Sequence, residues 1–131
     1  MPKEQDASLP RFTRGTWESG EIVSRISRGE IGGKAKGLWR LKSELLPQLD
    51  TAEFPEIQVT VPRMVVLGTE FFDAFMELNG LRPQALAGAA DAKIAHAFLR
   101  ADLPPEYLGD LRDFISQVDE PLAVRSSSLL E

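Results

Sequence analysis

The chain contains no cysteine and only one histidine among its 131 residues. The lack of cysteine excludes a disulfide framework, a zinc–thiolate site and a cysteine nucleophile. A single histidine excludes any metal site that needs two imidazole ligands. Because cysteine-free chains are common in reducing compartments, we expect a cytoplasmic location.

Long hydrophobic runs and excess positive charge are missing as well. No stretch approaches the roughly 18 apolar residues that span a membrane, and the opening MPKEQDASLPRF lacks the apolar segment of a signal peptide. There are 15 Lys and Arg against 20 Asp and Glu, which gives a net charge of −5. The sequence therefore predicts neither membrane nor nucleic-acid partners, although a local basic patch can still hold one phosphate group.

The residues that are present indicate one domain with a mixed α/β (α+β) fold. An apolar share of 43% at this length suits a single folded core. Residues 1–26 are a predicted polar lead-in that docks through Trp17, with a short helix or strand near 21–26. The domain proper, 27–131, alternates helices and strands. The predicted elements are a helix over 34–46, a strand over 63–67, a helix from the N-cap Thr69 to Asn79–Gly80, a helix over 83–100, a helix starting at Pro104–Pro105, and a strand over 122–125.

The first candidate site is Gly32-Gly33-Lys34 at the start of the predicted helix. A helix N-terminus offers unpaired N–H groups and the positive end of the dipole, and glycine lets an anion approach the backbone. Lys34 adds a charge that can reach a phosphate oxygen. The structural alternative is a turn followed by a solvated lysine. The spacing is not that of a Walker P-loop.

The second candidate site is Arg125-Ser126-Ser127, which follows the apolar residues of the last predicted strand. Ligands of α/β proteins tend to lie beyond the carboxyl ends of strands. The planar fork of arginine suits phosphate, and serine hydroxyls add donors. The structural alternative is an edge strand that ends in an exposed arginine and a polar turn. The lone His96 and the aromatic residues Phe71, Phe72 and Phe75 are more typical of structural positions than of a site.

Taken together and in this order, the motifs resemble a known family. GGK before a helix, VPRMVVLGTEFFDAF, a proline-started helix and AVRSSSLLE are similar to the N-terminal ATP-binding domain of the pyruvate phosphate dikinase and phosphoenolpyruvate synthase family. The resemblance covers residues 31–131 and implies an ATP-grasp-like fold. It implies that Lys34 and Arg125 contact the phosphates of ATP, with Gly32, Gly33, Ser126 and Ser127 around them.

The sequence also departs from the family pattern. Ala35 and Lys36 replace the usual glycine and alanine after the lysine, and Arg63 and Met64 replace a proline–glycine pair. The serine loop reads SSSLLE, where SSATAED is commoner. These departures indicate a divergent branch and leave the phosphoryl acceptor open.

The resemblance places the rest of the machinery outside this chain. The acidic ligands of Mg²⁺, the phosphohistidine domain and the pyruvate or phosphoenolpyruvate domain follow later in the family. The chain stops just after a predicted strand, and we expect the subdomain to be truncated at its C-terminus. We therefore expect weak ATP binding and no activity in isolation, since phosphoryl transfer needs metal ions and a positioned nucleophile. The alternative is a standalone, non-catalytic interaction or nucleotide-sensing module derived from that fold.

Overall fold

The computed structural model of the chain describes residues 9–16, 18–50 and 52–126. Within these residues the chain forms two parallel strands and five α-helices. The predicted mixed α/β class is confirmed at this level.

The sheet is small and entirely parallel. β1 (Val23–Ile26) pairs with β2 (Met64–Leu67) from Val23 opposite Met64 to Ile26 opposite Leu67. On the other edge of β1, the N–H of Phe12 donates to the carbonyl of Arg25 (2.8 Å), so residues preceding β1 run along it. The short element predicted near 21–26 is thus confirmed as a strand. Trp17, the predicted docking residue, lies outside the described residues.

Three of the four predicted helices are confirmed, with small differences at their ends. The first continues beyond its α-helical part through a π-helical turn, Leu41–Leu45, and a 3₁₀ turn, Leu46–Gln48. Pro47 belongs to that last turn, where its missing N–H costs nothing. The observed α-helices are α1 (Gly33–Arg40), α2 (Thr69–Leu78), α3 (Leu81–Leu86), α4 (Asp91–Leu99) and α5 (Pro105–Ser116).

The single helix predicted over 83–100 is wrong. The segment forms α3 and α4, separated by a turn in which Gly88 has φ +68°. A residue in the left-handed region cannot continue a right-handed helix, and glycine adopts that region without steric cost.

The strand predicted over 122–125 is wrong as well. Residues 121–126 lie outside helices and strands and are exposed, with Val124 94% accessible. A strand needs a neighbour for its backbone groups. In the described part of the chain this segment has no ladder partner.

Buried side chains form a cluster around α1 and the loop before it. Aromatic rings pack in further pairs: the centroids of Phe12 and Phe114 lie 6.0 Å apart in an edge-to-face arrangement, and those of Phe75 and Phe98 lie 5.7 Å apart. The buried cluster on the α1 side is Leu9, Val23, Ile31, Ala35, Val61 and Val66.

Several residues predicted to face inward are exposed instead. Leu86 is 82% accessible and Ile115 is 59% accessible. Phe72 also points largely outward, whereas Phe71 and Phe75 pack against other rings as expected for core positions. The described helices include none that is long and apolar enough to cross a membrane.

Candidate functional site

The carboxyl ends of the two strands meet in a pair of interlocked loops. Ser27 Oγ accepts the N–H of Gly68 (3.0 Å). The N–H of Thr69 donates to the carbonyl of Glu30 (2.9 Å), and the N–H of Glu30 donates back to Thr69 Oγ1 (3.0 Å). The loop that follows β1 is therefore fixed to the start of α2.

Glycine makes this close approach possible. A Cβ at Gly68 would overlap the carbonyl oxygen of Arg28, and a Cβ at Gly29 would overlap Thr69 Oγ1. Gly29 also has φ +84°, and Ser27 itself has φ +68°, which is unusual for a residue with a side chain. The Ser27 hydroxyl donates to the carbonyl of Gly68 and accepts the N–H of Gly68, and these two bonds hold Ser27 in that conformation.

Thr69 does not act as the predicted N-cap of α2. Gly68 occupies the cap position and Thr69 is the first helical residue. Its hydroxyl instead accepts the N–H of Glu30 in the loop that follows β1. The predicted cap is therefore wrong by one position, because the hydroxyl has a tertiary partner that sequence alone does not show.

The loop leads directly into the N-terminus of α1, where the first candidate site lies. Gly32 is the N-cap in an extended conformation (φ −69°, ψ 163°) and makes no side-chain cap. The first turn carries no acidic residue, and its second position is the exposed Lys34. Ala35 is buried in the core cluster, so this side of the first turn packs against the protein interior. The positive end of this helix thus lacks a carboxylate of its own and carries a lysine.

Charged groups surround the same edge of the sheet. Lys36 Nζ lies 3.9 Å from Glu30 Oε2, an exposed pair that contributes little to stability. Arg28 is exposed in the loop between β1 and α1. The edge therefore carries mixed charge, with basic groups on the α1 side.

Tyr107 of α5 lies beside this edge. Its ring packs 5.3 Å from that of Phe71 in the first turn of α2. Burial raises the pKa of the Tyr107 phenol, the carboxylates of Glu70 and Glu106 raise it further, and Arg28 opposes them. The phenol therefore keeps its proton at neutral pH and can donate a hydrogen bond.

The structure places the predicted site residues on two separate segments. Gly32, Gly33 and Lys34 are together at the start of α1. Arg125 and Ser126 lie on the exposed segment 121–126, and Ser127 is outside the described residues. That Lys34 and Arg125 share one anion pocket remains a prediction.

Some features at the carboxyl ends of the strands depend on the pairing of β1 with β2, and the sequence did not predict them. The turn-rich run after β1 and the Gly-Thr before α2 were each visible as local signals. Only the pairing of β1 with β2 brings them into contact and places Arg28 and Tyr107 nearby.

Within the described ranges, no three His, Cys, Asp or Glu residues are grouped closely enough to hold a metal ion. Comparisons of the chain with protein-family models, with curated proteins and with solved structures found no match.

Proposed function

We propose that this chain is the ATP-binding subdomain of a phosphotransferase similar to phosphoenolpyruvate synthase and pyruvate phosphate dikinase. The observation that carries the proposal is the α1 N-terminus. A glycine pair and a lysine open the helix, its first turn has no acidic residue, and it follows the carboxyl end of a parallel strand. This combination is chemically suited to a phosphate group.

Each residue has a distinct role in the proposed site. The backbone at Gly32 and Gly33 lets phosphate oxygens approach the helix N-terminus, and the amine of Lys34 neutralises their charge. The guanidinium of Arg125 binds a second face of the polyphosphate, with the hydroxyls of Ser126 and Ser127 as further donors. Charged hydrogen bonds of this kind contribute about 1.5–3 kcal/mol each. Two of them together contribute about 3–6 kcal/mol, which corresponds to dissociation constants between about 6 mM and about 40 μM.

Bound Mg²⁺ would neutralise the charge that develops during phosphoryl transfer. The residues at the α1 N-terminus are suited to the phosphates and not to the metal, because they offer N–H groups and an ammonium. The metal ligands are expected elsewhere in a longer polypeptide. This chain accordingly binds and orients the nucleotide, and it has no turnover in isolation.

The second candidate function is a non-catalytic interaction or nucleotide-sensing module. One observation favours it: apolar side chains stay exposed on the loop between α1 and β2. Phe54 and Ile57 are 59% and 60% accessible there. With Leu49, Asp50 and Val59 they line a shallow cavity of about 180 Å³. Such a surface is typical of contacts with further protein.

A titration with Mg-ATP tests the leading proposal. We expect NMR shift changes around residues 31–36 and 124–126, and these should be lost in Lys34→Ala and in Arg125→Ala. Lys93→Ala, an exposed lysine on α4, is the matched control and should bind as the unaltered chain does. Equal affinity in all four proteins would refute the assigned roles. Release of phosphate by the isolated chain would refute the claim that it lacks turnover.

A further inference from the structure

The outer edge of β2 is open. The N–H of Met64 donates to Ile22 and that of Gly68 to Ile26, so alternate residues of the strand face β1. In a parallel ladder the backbone groups of the residues between them, Val65 and Leu67, point away from β1. Among the described residues these groups make no backbone hydrogen bond, and Leu67 is 44% accessible. An open edge of this kind accepts another strand.

The same chain carries a segment suited to that edge. Residues 121–126, PLAVRS, begin with a short apolar run, and Leu122 and Val124 are 49% and 94% accessible. A short apolar run that includes a β-branched residue is consistent with a buried strand. The segment is exposed throughout and has no ladder partner in the described part of the chain.

Charge complementarity favours parallel over antiparallel pairing of residues 121–126 with β2. Arg63 comes just before β2, and Glu70 follows soon after it. The segment is preceded by Asp119 and Glu120 and ends in Arg125. Parallel pairing sets the acidic pair beside Arg63 and Arg125 beside Glu70, whereas antiparallel pairing sets like charges together. Parallel addition also continues the direction of the existing sheet.

We propose that two copies of this chain exchange residues 121–126, each segment adding in parallel to the β2 edge of the other copy. A reciprocal exchange closes as a two-fold dimer, because each copy supplies one edge and one strand. Parallel addition brings Arg125 of the second copy to the carboxyl edge of the sheet, where α1 begins with Gly33. Each phosphate site then combines Lys34 of one copy with Arg125 of the other. This last step rests on the proposed function.

The exchange is tested first without nucleotide, by sedimentation of the full chain over a range of concentrations. We expect a monomer–dimer equilibrium, and Val124→Lys should raise the dimer dissociation constant by about tenfold or more. Leu86→Lys is the matched control, since Leu86 is also exposed but lies on α3, and it should dimerise unchanged. Circular dichroism checks that both variants are folded. A chain that stays monomeric, or equal weakening by both variants, would overturn the proposal.

Mixing two variants then tests the shared site. Lys34→Ala and Arg125→Ala each lose Mg-ATP binding alone. A mixture in equal amounts should recover about a quarter of the original sites, since half of randomly formed dimers are mixed and each of these holds one complete site. No recovery, with both variants deficient alone, overturns the shared site and leaves the proposed function standing, and sedimentation decides the exchange. Undiminished binding by either variant alone refutes the proposed function instead, and sedimentation still decides the exchange.

Discussion

Ser24 is a polar residue held in the middle of the sheet. It is only 2% accessible, and its hydroxyl has no hydrogen-bond partner among the described residues. A buried hydroxyl without a partner costs free energy that an apolar side chain of similar size does not. We expect Ser24→Ala to leave the free energy of unfolding unchanged or to raise it by up to about 1 kcal/mol.

Thr16→Ala is the matched control for this prediction. Thr16 is similarly buried, at 6% accessibility, but its Oγ1 accepts the N–H of Thr13 at 2.6 Å. Its replacement leaves that donor without a partner and should lower the free energy of unfolding by about 1–2 kcal/mol. Urea denaturation of both variants measures the difference. Equal losses at the two positions would contradict the argument.

Tyr107 gives a second prediction for a single residue. Burial and the carboxylates of Glu70 and Glu106 raise its pKa above that of the unfolded chain. The folded protein therefore holds the phenolic proton more tightly than the unfolded one. The stabilisation is fully present below about pH 10 and is lost as the pH rises from there through the folded pKa.

The measurement is direct because Tyr107 is the only tyrosine of the chain. Tyrosinate absorbance should appear at higher pH in the folded protein than in the same protein in urea. Glu70→Gln removes one of the raising charges and should lower the folded pKa without reaching the unfolded value. Coincident titration curves for folded and unfolded chain would refute the assignment.

At the scale of secondary-structure elements, the contact between the loop after β1 and the loop after β2 sets the start of α2. Gly68 precedes that helix, and a side chain there would overlap the carbonyl of Arg28. Backbone on both sides leaves little room to relax, so we expect Gly68→Ala to lower the free energy of unfolding by about 2 kcal/mol or more.

Gly37→Ala is the matched control for the loop contact. Gly37 lies inside α1, and nothing lies within 4 Å of a Cβ built there. Alanine is favoured over glycine at an exposed helical position by about 1 kcal/mol, so this variant should be more stable than the original. Thermal and urea denaturation compare the two. A stabilising Gly68→Ala would show that the loops are not locked together.

The elements also show which parts of the fold a sequence reveals. The starts of α1 and α5 were predicted because a glycine pair and a proline pair are local signals. The break at Gly88 was missed because its φ of +68° reflects how α3 turns into α4, and glycine alone does not fix that angle. The strand at 122–125 was predicted from its apolar residues, but a strand also depends on a partner that the segment itself does not encode.

The candidate site divides in the same way. Gly32-Gly33-Lys34 was found because the whole feature lies within one stretch of sequence at a helix start. Arg28 and Tyr107 were not found, because their position relative to Glu70 exists only once α5 packs on α2. The sequence therefore predicted the contiguous motif, but it did not predict which residues tertiary packing brings close to it.

At the scale of the whole molecule, the accessibility of an apolar side chain indicates how much that residue contributes to stability. Leu86 and Leu99 are 82% and 86% accessible, although helical periodicity placed Leu86 inward. Their replacement by glutamine removes little buried area, and the free energy of unfolding should change by no more than about 0.5 kcal/mol. Ile26 is fully buried, and we expect Ile26→Ala to lower the free energy of unfolding by about 2–5 kcal/mol. Urea denaturation of these variants measures the contrast, and a comparable loss at Leu86 would contradict the observed packing.

The parallel ladder also has a consequence for the order in which the chain folds. The hydrogen bonds between Ser27 and Gly68 join residues 41 positions apart, whereas α4 and α5 involve only near neighbours in sequence. Closing so long a loop lowers the chain entropy before the strand contacts can offset that loss, so such pairings form slowly. Helices can form early on the microsecond scale, but the edge that carries Gly32, Gly33 and Lys34 is completed only when the two distant strands have met.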